Sequence, residues 1–344
     1  RQARILSDMG RRAEAEAAYG AALKLDPDNA TAQIGLAILD LWRNDHSSAT
    51  KRLAGARGEV PSSDWRLVDA TAKILSGDIQ AAVNELNLLD DRVDGWLMRA
   101  DLLAYEGRGT DAVALLQQAV QRFPDEHRLL AALARQHLRN DEFDAARLGA
   151  DEAVSANLAS YEGWLAQAEV ARSEGDAVAV LGAYDLARAL KPADDRAWFG
   201  LGSAQTERER VPEARAALDR ALQLNPNGMG YYGEKATLAT QAAEFVEADA
   251  AYRQALEANP SDYVALTGLG LLQLKRGQTQ AALDSFLKAG VMEPRYARVH
   301  VYNAVAYYQL GDLDQAFSEL KRASELDDKD PLPHFMAAQM ASDQ

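Results

Sequence analysis

Residues 195–228 read DRAWFGLGSAQTERERVPEARAALDRALQLNPNG, and this stretch decides the fold. Apolar and small residues recur in its first half with the spacing of a helix that has one packed face, at Trp198, Leu201, Gly202 and Ala204. Pro212 suits the first turn of a second helix, because an N–H at that point would have no partner inside the helix. The buried stripe of this second helix is predicted at Ala214, Ala217, Leu218, Ala221 and Leu222. Pro226 ends the helix, because the residue before a proline disfavours the helical conformation.

The same pattern returns every 34 residues. Glycines mark one point of the period, at Gly107, Gly175, Gly277 and Gly311. Prolines mark a later point, at Pro124, Pro192, Pro226, Pro260 and Pro294. A fixed period of this length predicts stacked helix pairs rather than a globular enzyme domain. Because no pair can bury its apolar stripe alone, neighbouring pairs must stack on one another.

These residues resemble the tetratricopeptide repeat (TPR) family, whose pattern is W-x2-L-G-x2-Y followed by A-x3-F, A and P. The stretch matches it at Trp198, Leu201, Gly202, Ala214, Leu218, Ala221 and Pro226, with Leu218 in place of Phe and Gln205 in place of Tyr. About ten copies follow one another in register and cover essentially the whole chain. The resemblance implies an all-α fold, a right-handed α-solenoid of stacked antiparallel helix pairs that forms the TPR superhelix.

The repeat predicts a single array over residues 1–344. Its units are expected near 1–29, 30–62, 63–92, 93–126, 127–160, 161–194, 195–228, 229–262, 263–296 and 297–330, with a partial unit at 331–344. The third unit is about four residues short. Since neither end resembles the polar cap of a solenoid, we expect the chain to be a fragment of a larger protein.

Composition narrows the classes of function. The chain carries a formal net charge of −15, which argues against a nucleic acid or an anionic lipid surface as the main partner. It has no cysteine, and this excludes disulfides, thiolate metal sites and cysteine nucleophiles. No apolar run approaches the roughly 20 residues of a transmembrane helix.

Catalytic and cofactor motifs are missing from the sequence. The five histidines are scattered and form no HExxH or HxH motif; they are His46, His127, His137, His300 and His334. There is no GxSxG elbow, P-loop or GxGxxG, and Gly268 and Gly270 are interpreted as helix-packing glycines. We therefore expect no enzymatic activity, no cofactor and no metal site.

The resemblance implies a concave surface lined by the first helix of each unit, mainly at repeat positions 2, 5, 9, 12 and 13. Five arginines occupy such positions, at Arg128, Arg135, Arg139, Arg172 and Arg196. Because arginine captures carboxylate and phosphate groups with two parallel hydrogen bonds, one hypothesis is a groove for an acidic peptide segment. The alternative is that these arginines pair with acidic neighbours such as Glu162, Glu169 and Glu207.

Further along the chain the same positions become mostly apolar. They are Val264, Thr267, Leu271, Leu274, Val301, Val305 and Tyr308. Exposed contiguous apolar surface is typical of an interface, so an amphipathic helix or an extended peptide is expected to dock there. The alternative is that the solenoid or further repeats cover these residues.

The sequence thus predicts a protein-protein interaction scaffold that binds a protein or peptide on its concave surface. The alternative is the non-catalytic TPR region of a larger bacterial envelope machine for exopolysaccharide export or secretion, or of a multidomain enzyme. Self-association through the end repeats is a third hypothesis. The richness in alanine, arginine and aspartate is typical of a bacterial protein, with the cytoplasm or periplasm as the expected compartment and the cell envelope favoured.

Overall fold

The computed structural model describes residues 2–8, 11–43, 45–58, 61–226, 228 and 230–342. Among these residues all regular structure is helical and there is no β-strand, so the all-α prediction is confirmed. The chain divides into two compact units, unit 1 over residues 1–197 and unit 2 over residues 198–344.

Unit 1 consists of antiparallel helix pairs, each with a first and a second helix. The helices are α1 (Gln2–Asp8), α2 (Arg12–Leu25), α3 (Ala30–Trp42), α4 (His46–Ala56), α5 (Ser63–Leu75), α6 (Ile79–Leu86), α7 (Val93–Tyr105), α8 (Gly109–Arg122), α9 (His127–Arg139), α10 (Phe143–Ala156), α11 (Tyr161–Ser173) and α12 (Ala177–Leu190). The predicted short unit at 63–92 corresponds to a second helix, α6, of only eight residues.

Unit 2 continues the same alternation of first and second helices. They are α13 (Asp195–Glu207), which begins in the last residues of unit 1, then α14 (Val211–Leu224), α15 (Tyr231–Gln241), α16 (Phe245–Ala258), α17 (Tyr263–Lys275), α18 (Thr279–Met292), α19 (Ala297–Leu310), α20 (Leu313–Leu326) and α21 (Leu332–Ser342). Pro212 lies in the first turn of α14, as the sequence predicts.

The turn inside each pair needs one residue with a left-handed backbone. Gly107, Gly175, Gly277 and Gly311 all have a positive φ at this point. Glycine is favoured there because it lacks the Cβ that makes this conformation costly. The periodic glycines of the sequence are therefore turn residues, and they fix where each second helix begins.

Second helices pack through glycines against the first helix of their own pair and against the first helix of the next pair. A Cβ on Gly270 of α17 would lie 2.4 Å from the ring of Phe286 of α18, and one on Gly268 would lie 2.4 Å from Tyr252 of α16. Both rings therefore need a glycine opposite them, which confirms the interpretation of Gly268 and Gly270 as packing residues.

Candidate partner-binding surfaces

Charges alternate along the first helices of unit 1. Asp94, Arg128, Glu162 and Arg196 occupy the same position of four consecutive repeats. Arg128 Nη1 lies 2.7 Å from Asp94 Oδ1, and Arg196 Nη2 lies 3.9 Å from Glu162 Oε1. Adjacent first helices therefore bring opposite charges together at this position, and Arg128 and Arg196 both form ion pairs.

Arg196 also binds Asp194, the residue that precedes α13. Its guanidinium bonds to Asp194, with Nη2 and Oδ2 3.1 Å apart, and lies 5.1 Å from the ring centre of Tyr161. The buried Tyr161 hydroxyl donates a 2.5 Å hydrogen bond to Asp194, and burial together with this carboxylate raises the pKa of Tyr161 well above its usual range. Arg196 thus contributes to packing as well as to the charged surface.

Arg135 and Arg139 of α9 differ from Arg128 and Arg196. In the described part of the chain, no carboxylate oxygen lies within 4.0 Å of either guanidinium. Both line a cavity of about 580 Å³, named here the arginine cavity, together with Asp101 and Arg196. Arg196 is paired with Asp194 and Glu162, so Arg135 and Arg139 are the arginines of this lining that stay outside ion pairs.

Two acidic residues near the arginine cavity, Asp101 and Glu169, have pKa values above their usual ones. Loss of contact with water raises the pKa of Glu169, although Arg135, Arg139, Arg172 and Arg196 act in the opposite direction. Burial likewise raises the pKa of Asp101, and Arg135 and Arg139 act in the opposite direction. Desolvation therefore outweighs the attraction of the arginines for these carboxylates.

Arg172 of α11, the remaining predicted arginine, is half-buried. Its guanidinium carbon lies 5.8 Å from the ring centre of Tyr184, and its charge acts on Glu169. Glu169 is therefore within the electrostatic reach of four of the five predicted arginines, Arg135, Arg139, Arg172 and Arg196.

The predicted apolar set in unit 2 divides between two places. Val264, Thr267, Leu271 and Leu274 of α17 line a cavity of about 880 Å³, named here the apolar cavity. Val301 of α19 instead lies in a core cluster with Leu320 and Met340, where it is 3% exposed. Val305 and Tyr308 pack against this same cluster. None of these three α19 residues lines the apolar cavity.

Several residues of the apolar cavity were not among the sequence candidates. Phe199, Gly233, Tyr252, Tyr263, Tyr296 and Tyr302 all line it. The sequence could have predicted two of them, because Phe199 and Gly233 occupy the same repeat position as the candidate Thr267. The tyrosines lie at other positions, and only the packing of neighbouring pairs brings them to the cavity.

The remaining polar features include a buried contact between His300 and Glu319. No group of three or more His, Cys, Asp or Glu side chains among the described residues is placed to hold a metal ion. His300 is buried, and its Nδ1 lies 2.7 Å from Glu319, which also accepts a 3.0 Å hydrogen bond from Asn303. Across the described ranges, no helix has the length and apolar character required to cross a membrane.

Stacked antiparallel pairs that expose one side of their first helices define a helical repeat protein of the solenoid class. Tetratricopeptide repeat profiles match residues 6–74, 93–135, 165–228, 251–284 and 280–331. The chain belongs to the tetratricopeptide repeat family, as its residues predict.

Proteins with similar sequences include subunits of large complexes. Anaphase-promoting complex subunit 3 of Schizosaccharomyces pombe is 25% identical over 149 residues, which are 43% of this chain and 22% of that protein. BBSome complex member BBS4 of Xenopus tropicalis is 33% identical over 109 residues, which are 31% of this chain and 19% of that protein. The aligned region is thus about a fifth of the length of each of these relatives.

A solved structure resembles most of the chain. The crystal structure of the APC/C hetero-tetramer Cut9-Hcn1 matches with a TM-score of 0.73 and 17% identity, covering 90% of this chain and 63% of that chain. At this level of identity the likeness shows the fold alone, and it confirms the all-α solenoid class.

Proposed function

We propose that this chain is a scaffold that binds a partner protein through the exposed side of its first helices and catalyses no reaction itself. Membership of the tetratricopeptide repeat family supports this function. The similar proteins from fission yeast and frog are named as members of multi-protein complexes, which favours the same role. We further propose that the repeats form one array over residues 1–344.

The observation that carries the proposal is the arginine cavity. Arg135 and Arg139 lie outside ion pairs, although the chain has a net charge of −15 and therefore many acidic groups to supply. Arg139 is exposed and Arg135 is half-buried, so both guanidinium groups are accessible to a partner. Carboxylates of a partner would form charge-assisted hydrogen bonds with them, so we assign the cavity to an acidic segment of the partner.

The predicted binding set is refined by these contacts. Arg135, Arg139 and Arg172 are proposed to contact the acidic segment, while Arg128 and Arg196 hold neighbouring repeats together and border the site. Val264, Leu271 and Leu274 are proposed as a second contact region. Thr267 and Val301 share one repeat position and are 4% and 3% exposed, so they support their helices rather than touching the partner.

Fluorescence anisotropy with a labelled hexaglutamate peptide tests the acidic-segment proposal. Arg135→Glu/Arg139→Glu/Arg172→Glu is expected to weaken binding at least tenfold, which corresponds to a loss of about 1.4 kcal/mol. Glu169→Gln is expected to strengthen binding about threefold, because it removes a carboxylate that competes for the same arginines.

A matched control separates the site from overall charge. Arg122→Glu/Arg147→Glu/Arg188→Glu changes the net charge equally but lies on the second helices α8, α10 and α12. It is expected to weaken binding only slightly, since exposed distant charges are screened by salt. Equal weakening by both triple variants would show that hexaglutamate senses net charge alone and would overturn the acidic-segment proposal.

A further inference from the structure

The second helix α12 of unit 1 exposes an apolar face. Six of its exposed residues have no polar side-chain atom, and they are named here the α12 stripe: Val178, Ala179, Gly182, Leu186, Ala189 and Leu190. At 3.6 residues per turn they fall on one side of the helix, with Asp185 at the edge. Exposed contiguous apolar surface is typical of an interface.

The other second helices in the 34-residue register do not share this feature. At the same six repeat positions, α8, α10, α14, α16, α18 and α20 each carry at least two charged residues. In α10 these are Asp144 and Glu152, and in α14 they are Glu213 and Arg220. Since these helices form the same kind of pair with charges at these positions, the fold does not require the α12 stripe to be apolar.

The α12 stripe is symmetric in sequence about Tyr184. The residues at equal distances of two, five and six positions from Tyr184 are Gly182 with Leu186, Ala179 with Ala189, and Val178 with Leu190. If two copies of α12 lie antiparallel with a two-fold axis at Tyr184, each stripe residue of one copy is level with a stripe residue of the other. A two-fold interface uses the same surface on both subunits, and the α12 stripe meets this condition.

The side-chain sizes in the stripe are also complementary. A Cβ on Gly182 would meet no atom within 4 Å, so this residue leaves an open notch on the helix surface. In the two-fold arrangement the exposed Leu186 of each copy is opposite Gly182 of the other. A large residue opposite a small one lets two helix surfaces interdigitate.

The charges at the two ends of α12 favour the antiparallel orientation. Asp176 precedes the helix, whereas Arg188 and Lys191 lie at its end. Antiparallel copies place the acidic start of one helix beside the basic end of the other, and parallel copies would bring like charges together. Because Arg188 already binds Asp185 at 2.6 Å and Lys191 binds Glu162 at 3.0 Å, these cations orient the two copies more than they hold them together.

We infer that a second copy of this chain docks on the α12 stripe, with the two α12 helices antiparallel about a two-fold axis at Tyr184. This contact goes beyond the proposed scaffold function, and it lies within the array rather than at its end repeats. No residue of α12 lines the arginine cavity, so the two surfaces are distinct.

The size and charge of the contact define its expected strength. The 14 residues of α12 form a face about 21 Å long and about 10 Å wide, which is less than the about 800 Å² per partner of a standard interface. The dimer is therefore weak and reversible. Two copies that each carry a net charge of −15 repel one another, so added salt is expected to strengthen the dimer by screening this repulsion.

Sedimentation equilibrium from low to high protein concentration tests the contact. The wild-type mass is expected to rise reversibly from that of a monomer towards that of a dimer. Val178→Glu is expected to weaken the dimer at least tenfold, because it places an unpaired carboxylate opposite Leu190. The matched control is Val246→Glu in α16, since Val246 has the same repeat position and is 79% exposed against 78% for Val178. This control is expected to dimerise like the wild type.

Disulfide formation tests the register, because the chain has no cysteine of its own. Chains with Gly182→Cys are expected to link to chains with Leu186→Cys when the two are mixed. Gly182→Cys alone is expected to link poorly, since antiparallel copies shift this residue from itself by about 6 Å along the helix axis.

Three results would overturn the inference. A monomer mass for the wild type at every concentration would exclude the dimer. Equal weakening by Val178→Glu and Val246→Glu would place the contact elsewhere or assign the effect to net charge. More efficient linking of Gly182→Cys to itself than to Leu186→Cys would mean that the helices are not antiparallel about Tyr184.

Discussion

At the scale of single residues, the left-handed turn position determines how each pair closes. Gly175 and Gly277 satisfy it, but Asp141, Glu209 and Ala243 occupy the same position of their units with φ of 63°, 56° and 59°. Where the repeat has a glycine, the sequence predicts a left-handed turn residue. It does not show that residues other than glycine adopt the same left-handed backbone in the other repeats, where their Cβ atoms make it sterically unfavourable.

Replacing Ala243 by glycine is expected to stabilise the protein. The substitution relieves the contact between Cβ and the carbonyl oxygen, which costs about 1–2 kcal/mol in a left-handed residue, and glycine's greater freedom in the unfolded chain offsets part of this. We expect a net gain of about 0.5–1 kcal/mol in the free energy of unfolding, measured by urea denaturation. Ala216→Gly on the exposed side of α14 should instead lower it by a similar amount. A loss in Ala243→Gly would mean that the turn is not strained.

The residue types alone do not show which of the predicted arginines form ion pairs and which stay outside them. The alternation of Asp94, Arg128, Glu162 and Arg196 can be read from the period, and it indicates pairing between neighbouring repeats. That Arg135 and Arg139 stay outside ion pairs depends on side-chain geometry across three helices, which no pattern in the sequence specifies.

At the scale of helices, glycine and a large ring form complementary surfaces. Phe286 of α18 is fully buried against Gly270 of α17, and Leu218 of α14 lies against Gly202 of α13. The family pattern contains both members of each pair, so this part of the packing could be predicted from the sequence.

Gly270→Ala is expected to destabilise unit 2. The added Cβ would overlap the Phe286 ring at 2.4 Å, and overpacking of a core of this kind costs about 1–3 kcal/mol. Gly182→Ala, with open space around its Cβ, is expected to gain about 0.5–1 kcal/mol from helix propensity. Thermal and urea unfolding of the two variants should therefore shift in opposite directions, and a stabilised Gly270→Ala would contradict the packing described here.

Exposure of a helix face could not be read from repeat positions alone. Val264 and Val301 were assigned to the same surface, yet Val264 is 59% exposed and Val301 is 3% exposed. The two valines lie at different repeat positions, and Thr267, at the position of Val301, is likewise only 4% exposed. The sequence pattern groups these positions on one helix face but does not show which of them the neighbouring helices bury.

At the scale of the whole molecule, the net charge is negative, whereas the proposed binding site is lined by arginines. The net charge of −15 repels acidic partners at long range, whereas the arginine cavity is lined by Arg135 and Arg139, which lie outside ion pairs. An acidic segment is therefore selected by local geometry, and its association should respond to ionic strength. That all ten predicted units form one array stays a prediction, as does any role of this chain within a longer protein.

The central claim is that a partner protein binds the exposed side of the first helices. The most direct measurement is a crosslinking pull-down from the cells that make this protein, followed by quantitative mass spectrometry. It compares wild type with Arg135→Glu/Arg139→Glu/Arg172→Glu and with the control Arg122→Glu/Arg147→Glu/Arg188→Glu. We predict a protein with an acidic segment that is retained by wild type and control and lost from the first variant. Retention of the same proteins by all three would contradict binding through the arginine cavity.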